Sequence, residues 1–199
     1  MGDKLVEIYV GPGCVTCKEM IEEISNTVRK LNIALKFKTI NKEHEYFKKT
    51  KAPMTVFYGV FEGRLRYVGW MCCHMERIIE RTLAILVNPM EAKVPDQVRA
   101  SISSLNRVDV RMFTSPLCPT GCPDIAEALV NITAVCNNVY CTIIGAIEAL
   151  DLMDELGISK IPTVILNNKV RCSLNAKSVN EAYENILDVI SKNIEKFKQ

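Results

Sequence analysis

After a few polar residues the chain alternates apolar and polar positions in "VEIYV" (Val6 to Val10), then breaks at Gly-Pro-Gly, 11–13. Period-two alternation stopped by glycine and proline predicts a half-buried strand and a turn. The run that follows, "CKEMIEEISNTVRKL", places apolar residues every three or four positions and predicts an amphipathic helix. The same succession returns in the second half. There "VRMFTSPLC" (Val110 to Cys118) aligns with "VEIYVGPGC" (Val6 to Cys14), and each has a proline two residues before the cysteine, Pro12 and Pro116. The helical run "CPDIAEALVNITAV" follows. Second strands are predicted at "ALKFKTI" and "YCTIIGAI", and short helices at "HEYFKKT" and "ALDLMDELGI". Next come apolar strands opened by a proline, "KAPMTVFYG" and "KIPTVILNN" (Pro53 and Pro162). A late strand follows, "RLRYVGW" and, less distinctly, "KVRCSLN". Each half closes on a long amphipathic helix, "HMERIIERTLAILV" and "SVNEAYENILDVISKNI".

We read this as two copies of one β-α-β-α-β-β-α unit. The first spans 1–88 and the second 89–199, with "NPMEAKVP" (Asn88 to Pro95) as the linker. A short helix, "PDQVRASISSL", leads into the second copy. The opening βαβ of each unit implies parallel strands, and the late pair implies an antiparallel hairpin. The predicted class is α/β, with each unit a mixed four-stranded sheet flanked by helices.

Composition narrows the function. Lys and Arg total 25 against 23 Asp and Glu, so no basic excess points to nucleic acid and no polybasic block to a membrane surface. The apolar runs are far short of a membrane span. The start "MGDKLVEIYV" has an acidic residue at once, unlike a signal peptide. Met1-Gly2 suggests myristoylation, but Val6 stands where that motif needs Ser or Thr. The nine cysteines are odd in number and irregular in spacing, which does not fit a secreted disulfide framework. In a reducing cytosol, C-x-x-C pairs are catalytic or metal-binding, hyperthermophile cytosols being the disulfide-rich exception.

Cys14-Val15-Thr16-Cys17 is such a pair, at a predicted helix start. There the unpaired amides and the positive end of the dipole favour a thiolate at Cys14, and Cys17 lies one turn on, close enough to close a disulfide. Lys18 adds a small positive field. Half of a zinc site is the alternative, although zinc normally takes four ligands. The later pair, Cys118-Pro119-Thr120-Gly121-Cys122, has one more intervening residue. Helical spacing of i,i+4 still allows a disulfide. Two helix starts are open: Pro119 at the first helical position with Cys118 as cap, or Pro123 there with Cys122 as cap. Pro53 and Pro162, each opening an apolar strand, are positions where a cis peptide is expected.

A strand, a C-x-x-C at a helix start and Ile161-Pro162-Thr163 before a strand together resemble the thioredoxin fold. Two such units in one short chain resemble the glutaredoxin-like protein disulfide oxidoreductases of archaea and thermophilic bacteria. The stretches "YCTIIGAIEALDLMDELGISKIPTVILNN" and "RYVGWMCCHMERIIE" carry the likeness most clearly, and it covers nearly the whole chain. The resemblance implies thiol–disulfide exchange on protein disulfides, with no cofactor beyond the cysteine sulfurs. It makes Cys14 and Cys118 attacking, Cys17 and Cys122 resolving, and Pro53 and Pro162 the loop prolines. Ala52, Ile161, Thr163 and Trp70 would line the substrate path. It further implies a cytoplasmic setting, a thioredoxin-reductase-like recharging partner, and neither nucleic-acid nor membrane partners.

Other residues leave alternatives. Glu7 and Arg111 stand seven positions before the first cysteine of their units, so each would bias its site if it pointed there. Cys72-Cys73-His74, at the start of the first unit's last helix, is either a packing position or part of a four-thiol cluster with Cys14 and Cys17. Such a cluster would relay a disulfide or hold zinc or an iron–sulfur centre. A second unit that only shapes the substrate cleft is also open. Cys136, Cys141 and Cys172 read as buried thiols, with a stabilising disulfide as the alternative. Val15, Met54, Trp70 and Met71 form a candidate apolar collar. His44 reads as a solvated helix residue.

Overall fold

The computed structural model describes residues 5–119 and 121–197. Met1 and Gly2, and Thr120 of the second cysteine motif, lie outside them. In the first half, β1 (Leu5–Val10), α1 (Cys17–Lys30) and β2 (Lys36–Asn41) are followed by α2 (Phe47–Thr50), β3 (Met54–Phe57), β4 (Leu65–Val68) and α3 (Glu76–Val87). A short helix, α4 (Asp96–Ser103), leads into β5 (Val108–Thr114), α5 (Cys122–Val135) and β6 (Val139–Gly145). The chain continues through α6 (Leu150–Glu155), β7 (Thr163–Leu166), β8 (Val170–Ser173), α7 (Val179–Lys192) and α8 (Ile194–Phe197). The last predicted helix is thus broken near Asn193, where the backbone leaves helical geometry.

The eight strands form one sheet in the order β2-β1-β3-β4-β6-β5-β7-β8. Within each half the first two strands are parallel and the other neighbours antiparallel, as the pattern predicts. The two four-stranded halves join through a parallel pairing of β4 and β6, from Leu65 opposite Cys141 to Val68 opposite Ile144. Polarity explains why these strands meet. β6 (VYCTIIG) is almost wholly buried, whereas its counterpart β2 (KFKTIN) is almost wholly exposed. Lysines on β2 also discourage pairing at that free edge.

One face of the sheet carries the larger core, where side chains of α1, α3, α5 and α7 pack on the strands. The other face carries a smaller core under α6, with Tyr46, just before α2, packed against it. α5 is apolar on nearly every side because it lies between α3 and α7. Ion pairs cross the junction from α3 to α5, Arg77 to Asp124 at 2.8 Å and Arg81 to Glu127 at 3.7 Å.

Arg64 is a buried polar link between the halves, only 4% exposed. Its Nη1 donates to the carbonyls of Thr133 (2.6 Å), Cys136 (3.0 Å) and Val139 (3.2 Å), and its Nη2 to that of Val60 (3.0 Å). Carbonyls at a helix C-terminus lack intrahelical donors, and a cation there is favoured. The guanidinium supplies both to α5.

Candidate redox sites at the two strand-to-helix turns

The first pair lies where β1 runs into α1. Gly11 admits the Phe47 ring, since a β-carbon there would fall 2.4 Å from Cζ. Gly13 takes φ +74°, the left-handed region that glycine tolerates. The Val15 amide donates to the Lys51 carbonyl at 2.9 Å and ties the turn to the loop before Pro53. These constraints keep the turn irregular through Val15, so α1 starts at Cys17 with Thr16 as its cap. Cys14 therefore precedes the helix instead of sitting at its start. Cys14 and Cys17 form a disulfide with Cα atoms 5.7 Å apart, inside the usual window. They open onto a shallow cleft of about 520 Å³ bordered by Val10, Gly13 and Ile21.

The second pair lies at the equivalent turn. The Cys118 amide donates to Ser115 O at 3.1 Å, and Gly121 (φ +80°) caps α5, which starts at Cys122. Of the two helix starts open in the sequence, this is close to the later one, with the cap one residue earlier. The extra residue is absorbed by the Gly121 turn. Gly121 has little room, since a β-carbon would lie 3.3 Å from Asn175 Oδ1. Cys118 is half-buried and flanked by Leu117, which is 70% exposed, while Cys122 is fully buried. Burial first, then the adjacent Cys118 side chain, pushes the Cys122 thiol up to about 11, against the pull of Thr114 and the Ser115 backbone. A helix start alone would have favoured a thiolate at Cys122; desolvation outweighs it.

A side chain from the second half reaches the first turn. Glu148, after β6, accepts hydrogen bonds at Oε1 from the Trp70 amide (2.9 Å) and the Thr16 hydroxyl (3.2 Å). Its pocket is made by two glycines. A β-carbon at Gly145 would come 2.8 Å from Glu148 Oε2, and one at Gly69 3.0 Å. The sequence offered no signal for this residue, because Thr16 and Glu148 are 132 positions apart.

Several expectations are corrected. Among the described residues the cis peptide is at Ile161-Pro162 alone. At Ala52-Pro53 the chain instead turns through Lys51 (φ +49°), and the Ala52 carbonyl is held by His44 Nε2 at 2.7 Å. His44 is therefore buried, not solvated, and burial lowers its pKa. Glu7 accepts hydrogen bonds from Tyr9 and Tyr58 hydroxyls, and Arg111 donates to Asn168, so these partners hold both side chains. The apolar collar loses Met54 and Met71, which are 7% and 1% exposed; Trp70 is half-buried and Val15 is 61% exposed. Ala52, Pro53, Pro162 and Thr163 are buried, and Ile161 is exposed. Cys136 and Cys141 are buried thiols and Cys172 a half-buried one. Among the described residues, no group of three or more His, Cys, Asp or Glu side chains is placed to hold a metal ion. The four-thiol cluster is not assembled as a metal site.

Two turns at equivalent positions, each with a cysteine pair, on duplicated β-α-β-α-β-β-α halves, define a tandem thioredoxin-like fold. The N-terminal domain of alkylhydroperoxide reductase AhpF from Enterococcus faecalis is similar, with TM-score 0.72 and 15% identity over 92% of this chain and 90% of that one. A protein disulfide oxidoreductase from Aeropyrum pernix is similar at TM-score 0.70 and 19% identity, over 99% and 88% of the two chains. A Sulfolobus solfataricus protein gives 0.63 and 18%, over 86% and 91%. At these identities the likeness establishes the fold. No family model and no curated protein matches the sequence.

Proposed function

We propose that the protein is a thiol–disulfide oxidoreductase acting on protein disulfides, with one dithiol site in each unit, 1–88 and 89–199. The observation that carries this reading is the cysteine pair repeated at equivalent strand-to-helix turns, closed as a disulfide at Cys14–Cys17 and in side-chain contact at Cys118 and Cys122. Cys14 and Cys118 attack, and Cys17 and Cys122 resolve. The attacking thiolate displaces one sulfur of a substrate disulfide and forms a mixed disulfide; the resolving sulfur then attacks and releases reduced substrate. The second site supports this assignment by its asymmetry. Its outer sulfur is half-buried beside exposed Leu117, and its inner sulfur is fully buried and protonated at neutral pH. Ile161 beside the cis proline, and Trp70 above the first turn, are the proposed substrate contacts. Pro53, Pro162, Ala52 and Thr163 shape the loops beneath. A cytoplasmic setting and a thioredoxin-reductase-like electron donor complete the proposal, on the cysteine pattern alone.

Trapping tests the roles. Cys17→Ser and Cys122→Ala should each accumulate a covalent adduct with a disulfide-bonded reporter protein, mapped by mass spectrometry to Cys14 and Cys118 respectively. An adduct at neither sulfur would refute the assignment.

A further inference from the structure

Cys72 and Cys73 take no part in the two sites above. Their sulfurs lie 3.0 Å apart. Cys73 adopts φ +57°, a left-handed conformation that costs a non-glycine residue free energy. Cys72 is buried and Cys73 exposed, the same inner-and-outer arrangement as Cys122 and Cys118. Burial and the neighbouring Cys73 push the Cys72 thiol up to about 12. The segment touches the second redox turn. The His74 amide donates to the Pro116 carbonyl at 3.2 Å, two residues before Cys118. The Thr114 hydroxyl, which also reaches Cys122, donates to Met75 Sδ at 3.5 Å.

We infer that Cys72 and Cys73 are a third dithiol/disulfide couple, which passes its disulfide to Cys118 and Cys122. The inference rests on the second-site reading above. Adjacent Cα atoms are about 3.8 Å apart, below the usual disulfide range, so the vicinal bond is strained and more oxidising. A small-molecule disulfide of the oxidised-glutathione class forms it and leaves as two thiols. The Cys118 thiolate then attacks Cys73 Sγ, the Cys72–Cys73 bond breaks, and Cys72 leaves as a thiolate that takes up a proton. Cys122 loses its proton and attacks Cys118 Sγ, which closes Cys118–Cys122 and releases Cys73 as a thiolate that is then protonated. Two electrons and two protons pass from the second site to the vicinal pair.

The test equilibrates the full-length protein in glutathione buffers, alkylates free thiols and maps tryptic peptides. Tyr67–Arg77 carries Cys72 and Cys73 and no other cysteine. It should appear unalkylated and two hydrogens lighter. Half-oxidation should need an equilibrium constant about tenfold, or about 30 mV, more oxidising than for Cys118–Cys122. A peptide that stays alkylated, or carries only glutathione on Cys73, would overturn the couple. When the fully reduced protein is mixed with one equivalent of oxidised glutathione, so that Cys118 and Cys122 are still thiols as the vicinal bond forms, that bond should vanish at least about tenfold faster in the wild type than in Cys118→Ala. Equal lifetimes would overturn the hand-over. If Cys118–Cys122 never oxidises in the wild type, the second-site reading fails separately, because the Tyr67–Arg77 peptide is scored independently.

Discussion

Replacing Arg64 by methionine keeps an unbranched apolar stem and removes the donors that join the two halves. Four carbonyls then lose a partner: those of Thr133, Cys136 and Val139 in the second half and of Val60 in the first. A buried acceptor left without a donor costs about 1–3 kcal/mol. Relief of the guanidinium's own burial offsets part of that, because its carboxylate neighbour, Glu62, is 3.8 Å away and mostly exposed. The net loss expected is about 2–4 kcal/mol, four such acceptors near the low end of that range less the relieved burial of the guanidinium. Urea unfolding read by Trp70, the single tryptophan and a residue at the junction, is the assay. Arg64→Lys keeps the charge without the planar fork and should lose about half as much. A loss below about 1 kcal/mol in Arg64→Met would show that the carbonyls find other donors and that Arg64 does not hold the halves together.

Gly145→Ala should lower stability by about 1–3 kcal/mol, the usual cost of overpacking, because its new methyl meets Glu148 Oε2 at 2.8 Å. Adding Glu148→Ala should recover most of that loss, and a purely additive double mutant would contradict the contact. Alkaline pH should destabilise the protein. Burial raises the Cys122 and Cys141 thiols to about 11 and about 12 in the fold, above the ordinary thiol value. Their contribution is complete below about pH 8.5 and falls by up to about 1.4 kcal/mol per pH unit for each as pH rises towards the folded values. The urea midpoint should therefore drop between about pH 8 and pH 10, less steeply in Cys141→Ala. An unchanged midpoint would contradict the burial of these thiols.

The duplicated unit, the strand directions and both cysteine turns were legible in the sequence because they rest on local patterns: alternation, helical periodicity, and Gly or Pro at the turns. The joining of the halves was legible only in retrospect. β6 reads as apolar where β2 reads as lysine-rich, and that contrast marks which edge is covered. Residues whose roles depend on distant partners were not legible. Glu148 answers to Thr16 and Trp70, Arg64 to carbonyls beyond Thr133, and His44 to the Ala52 carbonyl. A charged or titratable residue in a short polar stretch looks solvated until the chain folds over it. The helix start at the second pair was ambiguous for another reason. Pro119 and Pro123 both permit a first helical turn, and the glycine between them, at φ +80°, caps a helix that starts at Cys122, one residue before the later of the two.

The central claim is that the two turns are working dithiol sites. Reduction of a disulfide-bonded reporter protein by chemically reduced wild type, by Cys14→Ser/Cys17→Ser, by Cys118→Ser/Cys122→Ser and by the fourfold variant tests it most directly. Each double variant should retain part of the turnover and the fourfold variant should fall to the uncatalysed rate. Full turnover in the fourfold variant, with its fold intact, would contradict the claim.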